Sequence, residues 1–221
     1  MSDDTWDAFR ATPLAEVRRR AAIVDEIVEV APVTVDGARR FGWNDGGGQS
    51  AVWYFTEDGR GLLLTFDHEA ELNLYAEGDY ALQRSFYDGV PEDLVRLARN
   101  RPENYESLNL TDPQTKDTIH YAGGVFWCDG TEWRVADGVA GYCRRKKLDL
   151  FNESGFDYCL QDYRFGRDFT PEGVVEDRAE EGWYADERAQ EAELAAIREI
   201  FARHTDGPPE ADASGGPPAL R

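Results

Sequence analysis

The run Phe66-Asp67-His68-Glu69 is the most suggestive of catalysis or metal binding in this sequence. It continues directly from the apolar run Leu62–Phe66, and loops that follow strands often carry functional residues. Carboxylate and imidazole groups bind metals, and an adjacent pair of them can transfer protons. One hypothesis is therefore a metal-assisted or acid–base hydrolase with Asp67, His68 and Glu69 in its site.

The same run also has a structural interpretation. Neighbours in a strand alternate faces, so Asp67 and Glu69 would share one side and His68 the other. The carboxylates would then cap a following turn, while His68 bonds to backbone. A metal would need a second, distant imidazole, for which His120 is the candidate. Since the sequence has no HExxH pattern, we predict no metal or other cofactor, and His68 and His120 are the alternative metal ligands.

The three cysteines, Cys128, Cys143 and Cys159, are the candidate nucleophiles. Cys143 is the strongest of them because four basic residues follow it, Arg144 to Lys147, and would lower the pKa of its thiol. The alternative is that all three are small buried side chains. Their odd number and the lack of a CxxC pair predict no disulfide framework and fit a reducing, cytoplasmic compartment.

Two stretches of the chain are strongly acidic. Residues 67–93 hold eight acidic side chains and one basic, and residues 172–193 hold nine and two, so each stretch carries a net charge of −7. Such charge steers cationic partners, and exposed aromatic side chains anchor them. The predicted binding residues are Glu172, Glu176, Asp177, Glu180, Glu181, Trp183 and Tyr184. The alternative is that both stretches are solvated helix faces that keep the protein soluble.

The whole chain carries a net charge of −20, from 44 acidic and 24 basic side chains. That charge repels nucleic acid phosphates and anionic lipid headgroups, so we expect neither as a partner. No run of apolar residues approaches the ~18 that a membrane span needs. The acidic start, MSDDTWDAFR, lacks the apolar core of a secretory signal. A basic protein is the expected partner, and the oligomeric state stays open.

Local patterns predict the elements that would position these residues. Asp58-Gly59 and Asp129-Gly130 lie between apolar runs, which is typical of β-hairpins. Thr12-Pro13 and Thr170-Pro171 are helix-start signals. Strands are predicted at 33–35, 50–55, 62–66, 124–128, 132–135 and 156–160, and helices at 13–30, 79–87, 91–101, 138–147 and 184–204. Residues 103–118 are expected to be irregular, and Trp6 and Phe9 to dock a short turn.

We therefore predict an α+β fold: an antiparallel sheet of about four to six strands built from the two hairpins and packed by about three or four helices. The helix at 13–30 should cross one face of the sheet. A single domain would span residues 1–205. The composition of residues 206–221 is rich in Gly, Pro, Ala and Asp, which predicts a disordered tail.

Residues 51–138 resemble a group of uncharacterised actinobacterial proteins. The group shares a strand, an F-D-H-E run, a D-G-V-P or D-G-L-P helix start and a closing aromatic hairpin. Here these are Phe66–Glu69, Asp88–Pro91 and Val125–Trp133. A serine tends to follow F-D-H-E in that group, whereas this chain has Ala70. The resemblance implies a fold and brings no known activity.

Three functions follow as hypotheses. The first is a non-catalytic cytoplasmic module that binds a basic protein, and its general character is similar to that of small acidic immunity proteins that neutralise toxins. The second is the hydrolase with Asp67, His68, Glu69 and His120. The third is a small-molecule sensor with an aromatic pocket under the hairpins.

Overall fold

The computed structural model of the chain describes residues 2–101 and 108–205. The chain forms two compact units, the first ending at Phe169 and the second beginning at Thr170. Among the described residues, no helix is long and apolar enough to cross a membrane. The predicted disordered tail, residues 206–221, lies outside the described residues, and the single domain over residues 1–205 stays a prediction.

The first unit is built on antiparallel strands. In chain order these are β1 (Val33–Val35), β2 (Ala38–Asn44), β3 (Gln49–Phe55), β4 (Gly61–Asp67), β5 (Asn109–Thr111), β6 (Thr118–His120), β7 (Gly124–Cys128) and β8 (Trp133–Val135). One six-stranded sheet has the order β1-β2-β3-β4-β7-β8, and β5 and β6 form a second, two-stranded sheet. The predicted α+β fold with an antiparallel sheet is therefore confirmed.

The two predicted Asp-Gly hairpins lie side by side in the large sheet. Gly59 and Gly130 have φ angles of 78° and 101°, a region open to glycine at little cost. The β3–β4 hairpin joins the β7–β8 hairpin through antiparallel pairing of β4 with β7, with Leu63 opposite Phe126. The hairpins thus share one sheet, which places the end of β4 near the sheet's middle.

Helices cover this sheet and also make up the second unit. They are α1 (Ser2–Ala11), α2 (Leu14–Ile27), α3 (Tyr80–Phe86), α4 (Glu92–Val95), α5 (Asp137–Lys146), α6 (Leu150–Glu153) and α7 (Phe156–Cys159) in the first unit, and α8 (Pro171–Glu180) and α9 (Glu187–Arg203) in the second. Short 3-10 turns lie at Tyr75–Glu77, Arg96–Ala98 and Gln161–Tyr163. The prediction of about three or four helices was therefore too low for the described residues.

Side chains are buried on both faces of the large sheet, so all seven residues of β3 are buried. One face is aromatic: the Trp53 ring lies 5.2 Å from that of Tyr163 and 6.1 Å from that of Phe9 in α1. The other face is mainly aliphatic, where Val52, Leu64 and Val125 pack with residues of α3, α4 and α5. As predicted, α2 packs on the sheet, since Asp25 accepts hydrogen bonds from the Gly42 N–H of β2.

Several local predictions were wrong. The strand predicted at 156–160 is the helix α7, in which Phe156 and Cys159 are buried one turn apart, after Gly155 in the left-handed region. The turn expected around Trp6 and Phe9 is the ten-residue helix α1. The stretch 103–118, expected to be irregular, contains β5 and the start of β6, while its residues 103–107 lie outside the described residues.

Candidate functional site

Asp67, the last residue of β4, serves as a structural cap. Its Oδ1 accepts a hydrogen bond from the Glu69 backbone N–H at 3.0 Å and another from the Gln49 side-chain amide at 3.0 Å. A Cβ added to Gly155 would lie 2.7 Å from the Asp67 Cβ, so Asp67 packs closely against the Gly155 backbone. The Asp67 carboxylate therefore fixes the turn after β4, which is the part of the structural interpretation that concerns this residue.

His68 lies in that turn with its side chain 47% exposed. Its Nδ1 is 3.4 Å from Gln49 Nε2, and its Nε2 is 3.8 Å from Glu69 Oε1. The ring also packs on Gly48, where a Cβ would approach Nδ1 to 2.6 Å. These contacts supply an amide, a carboxylate and a glycine, but no hydroxyl or thiol that the imidazole could activate as a nucleophile.

His120 occupies a different environment, in β6 of the two-stranded sheet. It pairs with Asn109 of β5 and is only 1% exposed, and its carbonyl accepts the Tyr87 hydroxyl at 2.7 Å. Over residues 2–101 and 108–205, no group of three or more His, Cys, Asp or Glu side chains could hold a metal ion. The hydrolase hypothesis with Asp67, His68, Glu69 and His120 draws no support from this geometry.

The prediction of a lowered thiol pKa at Cys143 was wrong. Burial, together with the carboxylates of Glu153 and Asp149, raises the pKa of Cys143 to about 11. Burial likewise raises the pKa of Cys159 to about 12, and its Sγ donates to the Phe66 carbonyl at 3.3 Å. All three cysteines are buried and free, which matches the alternative of small core side chains.

An open groove of about 490 Å³ lies where hairpin tips meet α4 in the first unit. Its lining is charged and includes no aromatic residue: Asp36, Gly37, Thr56, Glu57, Asp58, Arg60, Asp93, Arg96 and Leu97. Arg60 bridges Asp58 and Asp93, and Arg101 pairs with Asp36. A second crevice, beside Phe86 and Tyr121, has no room for a water molecule. Neither cavity is the aromatic pocket of the sensor hypothesis.

The second unit holds the predicted binding residues. Thr170 caps α8 as the sequence indicates, since its hydroxyl accepts a hydrogen bond from the Gly173 N–H at 3.1 Å and Pro171 follows. Two ion pairs tie α8 to α9. Arg198 donates to Glu172 Oε1 through Nε at 2.9 Å and Nη2 at 2.7 Å, and Arg178 pairs with Glu193.

Helix α8 ends in a Schellman motif that sets the position of Trp183. Gly182 adopts the left-handed conformation with φ 80°. Its N–H donates to the Ala179 carbonyl at 3.1 Å, and the Trp183 N–H donates to the Arg178 carbonyl at 3.0 Å. These are the two bonds of the motif, and they satisfy carbonyls that the helix end would otherwise leave unpaired. Trp183 therefore leaves the helix in a defined direction.

Trp183 is 64% exposed, yet its indole is fixed by two contacts within the second unit. Its Nε1–H donates to Glu181 Oε2 at 2.9 Å, and the Arg178 guanidinium lies 4.9 Å from the ring centroid. The Arg178 side chain is in turn held by Glu193. A large aromatic side chain is thus presented in one orientation, with most of its surface open.

Exposed carboxylates precede Trp183 along the chain, and one of them, Glu181, contacts its indole. Glu176 and Glu180 are one turn apart on α8 and Glu181 follows directly; all three are exposed and form no ion pair with any described residue. We call these three carboxylates together with Trp183 the Trp183 surface. It combines negative charge with an ordered aromatic group, the features of a protein-binding surface.

The other predicted binding residues are less available. Glu172 is exposed but engaged by Arg198, which lowers the pKa of its carboxyl. Asp177 is half-buried. Tyr184 is also half-buried, and burial together with the neighbouring Glu193 raises the pKa of its hydroxyl to about 12. The expectation of Tyr184 as an exposed anchor was therefore wrong.

Sequence reasoning missed Gly182 and Arg178, which fix the indole. A signal was present, because glycine followed by an apolar residue after an acidic-basic helical run is typical of a helix C-terminus. The predicted helix at 184–204 placed Tyr184 at a helix start, whereas α9 begins at Glu187, capped by Asp186. That shift hid the connection in which Trp183 lies.

Comparisons with protein-family models, with curated proteins and with solved structures gave no match. The resemblance of residues 51–138 to the actinobacterial group stays a prediction.

Proposed function

We propose that this chain is a non-catalytic cytoplasmic protein-binding module that uses the Trp183 surface to bind a basic protein. Neutralisation of a basic toxin is one concrete form of that role. Free, buried cysteines support a reducing compartment. The net charge of −20 supports a cationic partner.

The exposed and ordered indole of Trp183 is the observation that carries the proposal. Leaving an aromatic ring 64% exposed forgoes the free energy that burial of its surface would contribute. Tryptophan is enriched among the few interface residues that dominate binding energy. Because Glu181 and Arg178 already fix the ring, a partner would not have to order it on binding.

The exposed carboxylates near the end of α8 give the surface its sign. Glu176, Glu180 and Glu181 have no ion-pair partner in the described ranges, so their charge acts on the solvent side. A partner arginine or lysine could pair with Glu181 while its aliphatic stem covers the indole. Residues 172–193 as a whole carry nine acidic and two basic side chains, a net charge of −7.

The test compares two triple variants of equal charge. Glu176→Gln/Glu180→Gln/Glu181→Gln neutralises the Trp183 surface, and Glu69→Gln/Glu71→Gln/Glu77→Gln neutralises three exposed carboxylates of the first acidic stretch. Affinity for a fluorescein-labelled octa-arginine peptide is measured by anisotropy. We expect the first variant to bind about tenfold more weakly than wild type and the second to stay within about twofold.

Equal losses in the two variants would mean that the peptide senses only the net charge, and the proposal would be wrong. Circular dichroism and thermal melting serve as controls for folding. Since all six positions are exposed, both variants should melt near the wild-type temperature.

A further inference from the structure

We infer that the C-terminal turn of α5 is a second interaction surface, which binds a short acidic segment of a partner protein. The four residues Arg144, Arg145, Lys146 and Lys147 make up this basic turn, and all four side chains are exposed. They are the one run of four consecutive basic residues in the sequence. Its sign is opposite to that of the Trp183 surface, so its partner must differ in charge.

The basic turn forms no ion pair with any residue in the described ranges. Arginines elsewhere in the first unit commonly hold carboxylates, and Arg60 and Arg99 each hold two. In a chain with 44 acidic and 24 basic residues, four adjacent cations without a carboxylate are unexpected. Their charge therefore remains available to an outside anion.

Nearby carboxylates exist but face other groups. Asp149 and Glu153 lie close enough to α5 to raise the pKa of Cys143. The Asp149 carboxylate caps α6, where it accepts from Phe151 N–H at 3.2 Å and Asn152 N–H at 3.4 Å. The Glu153 carboxylate accepts from the Glu71 N–H at 2.8 Å. Backbone N–H groups thus hold both carboxylates, and neither forms an ion pair with the basic turn.

Helix stability does not require all four cations. A basic residue in the last turn does favour the negative end of the helix, but like charges on adjacent residues repel. Lys147 has a φ of 61°, a left-handed conformation for which glycine is the usual residue at a helix end. A lysine at this position adds a positive charge but makes the left-handed backbone conformation less favourable than glycine would, which fits a role in binding.

Two of the cations are ordered by an aromatic ring. The Arg145 guanidinium lies 6.0 Å and the Lys146 ammonium 5.7 Å from the Tyr142 ring centroid. Tyr142 itself packs on Phe86, with centroids 5.2 Å apart. The contacts restrict these long side chains before any partner arrives, which lowers the entropic cost of binding.

The size and surroundings of the basic turn favour a short acidic peptide over an extended polyanion. One helical turn spans about 5.4 Å along its axis. Exposed carboxylates flank it, with Asp137 at the start of α5 and Asp149 just beyond its end. A nucleic acid duplex or an anionic bilayer extends past the turn and would meet those carboxylates, whereas a few consecutive glutamates would cover the turn alone.

The experiment uses a fluorescein-labelled hexaglutamate peptide as the probe. Arg144→Gln/Arg145→Gln/Lys146→Gln removes three charges from the basic turn and leaves the left-handed Lys147 unchanged. Arg39→Gln/Arg96→Gln/Arg188→Gln is the matched control, because it removes the same charge from exposed arginines elsewhere. We expect wild type to bind the peptide, the first variant about tenfold more weakly, and the control within about twofold of wild type.

Three outcomes would overturn the inference. They are no binding of hexaglutamate by wild type, equal losses in the two variants, and tighter binding of an RNA oligonucleotide or of phosphatidylserine vesicles than of the peptide. Melting temperatures of both variants show whether either has lost its fold. The basic-turn variant leaves the Trp183 surface unchanged. Its binding of octa-arginine therefore tests the proposed function independently of this inference.

Discussion

The Asp25 carboxyl lies in α2 with only 1% of its residue surface exposed. Burial raises its pKa from the ordinary 3.8 to about 7, although the Gly42 N–H and the charge of Arg40 oppose the shift. The N–H reaches both carboxyl oxygens, at 3.1 and 3.0 Å. A neutral acceptor at this position would satisfy the same N–H without burying a charge.

Asp25→Asn should remove a pH dependence from the stability of the fold. The raised pKa means that the folded state keeps a proton between about pH 4 and 7 where the unfolded state has lost it, so this group's contribution to stability falls as pH rises through that window. Wild type should therefore lose stability relative to the variant by an amount on the order of a few kcal/mol. Urea unfolding at pH 5, 6, 7 and 8 measures the free energy of unfolding of wild type and variant. The same pH dependence in both proteins would contradict the account.

The cysteine thiols should be inert in the native protein. Cys128, Cys143 and Cys159 are buried, and burial raises the pKa of each thiol. A thiol reacts as its thiolate, so Ellman's reagent at pH 8 should modify none within minutes and all three in guanidinium. One fast-reacting thiol in the folded protein would show that a cysteine is accessible. The sequence predicted a lowered pKa for the Cys143 thiol, because the adjacent basic residues can be read from the sequence and the burial of the thiol cannot.

Among the elements, α1 shows how tertiary packing decides what local sequence leaves open. Its residues are mostly polar, and only Trp6 and Phe9 indicated any docking. Phe9 is fully buried, and its ring lies 4.8 Å from that of Trp133 and 4.9 Å from that of Phe165. By contrast, the β3–β4 and β7–β8 hairpins were predictable, since their Asp-Gly turns separate apolar runs.

Phe9→Ala should destabilise the first unit by about 3–5 kcal/mol, the usual cost of an aromatic cavity in a core. The exposed Asp7→Ala in the same helix is the control and should change stability by less than about 0.5 kcal/mol. Chemical denaturation monitored by circular dichroism compares the two. A small effect of Phe9→Ala would mean that α1 is not part of the cooperative fold.

The end of α8 links an element to the proposed function. Gly182→Ala places a side chain at φ 80°, where the added Cβ meets no atom within 4 Å, so the cost is conformational, about 1 kcal/mol. Because the same backbone directs Trp183, octa-arginine binding should weaken as well. Gly59→Ala, at φ 78° in the β3–β4 turn, is the matched control: it should lose similar stability and keep its binding. Equal octa-arginine binding by both variants would show that the Schellman motif does not contribute to binding.

For the whole molecule, composition indicated the acidic character and local patterns predicted the α+β class, but neither indicated which acids remain unpaired. Glu172 and Glu193 form ion pairs with Arg198 and Arg178, whereas Glu176 and Glu180 form none with the described residues. Ion pairing between residues 15 to 26 positions apart depends on how α8 packs on α9, which single-sequence patterns do not encode. The sequence therefore identified the acidic stretch that we propose for binding, while the ordered indole within it follows only from the structure.

The anchoring role of Trp183 is the central claim, and replacing the indole tests it most directly. Trp183→Ala is compared with Tyr158→Ala, which removes another exposed aromatic ring, 46% exposed against 64% for Trp183. Octa-arginine affinity of both variants is measured at physiological salt, where long-range charge effects are screened. Trp183→Ala should bind about tenfold or more weakly and Tyr158→Ala within about twofold of wild type. Unchanged affinity in Trp183→Ala, or the same loss in both, would contradict the claim.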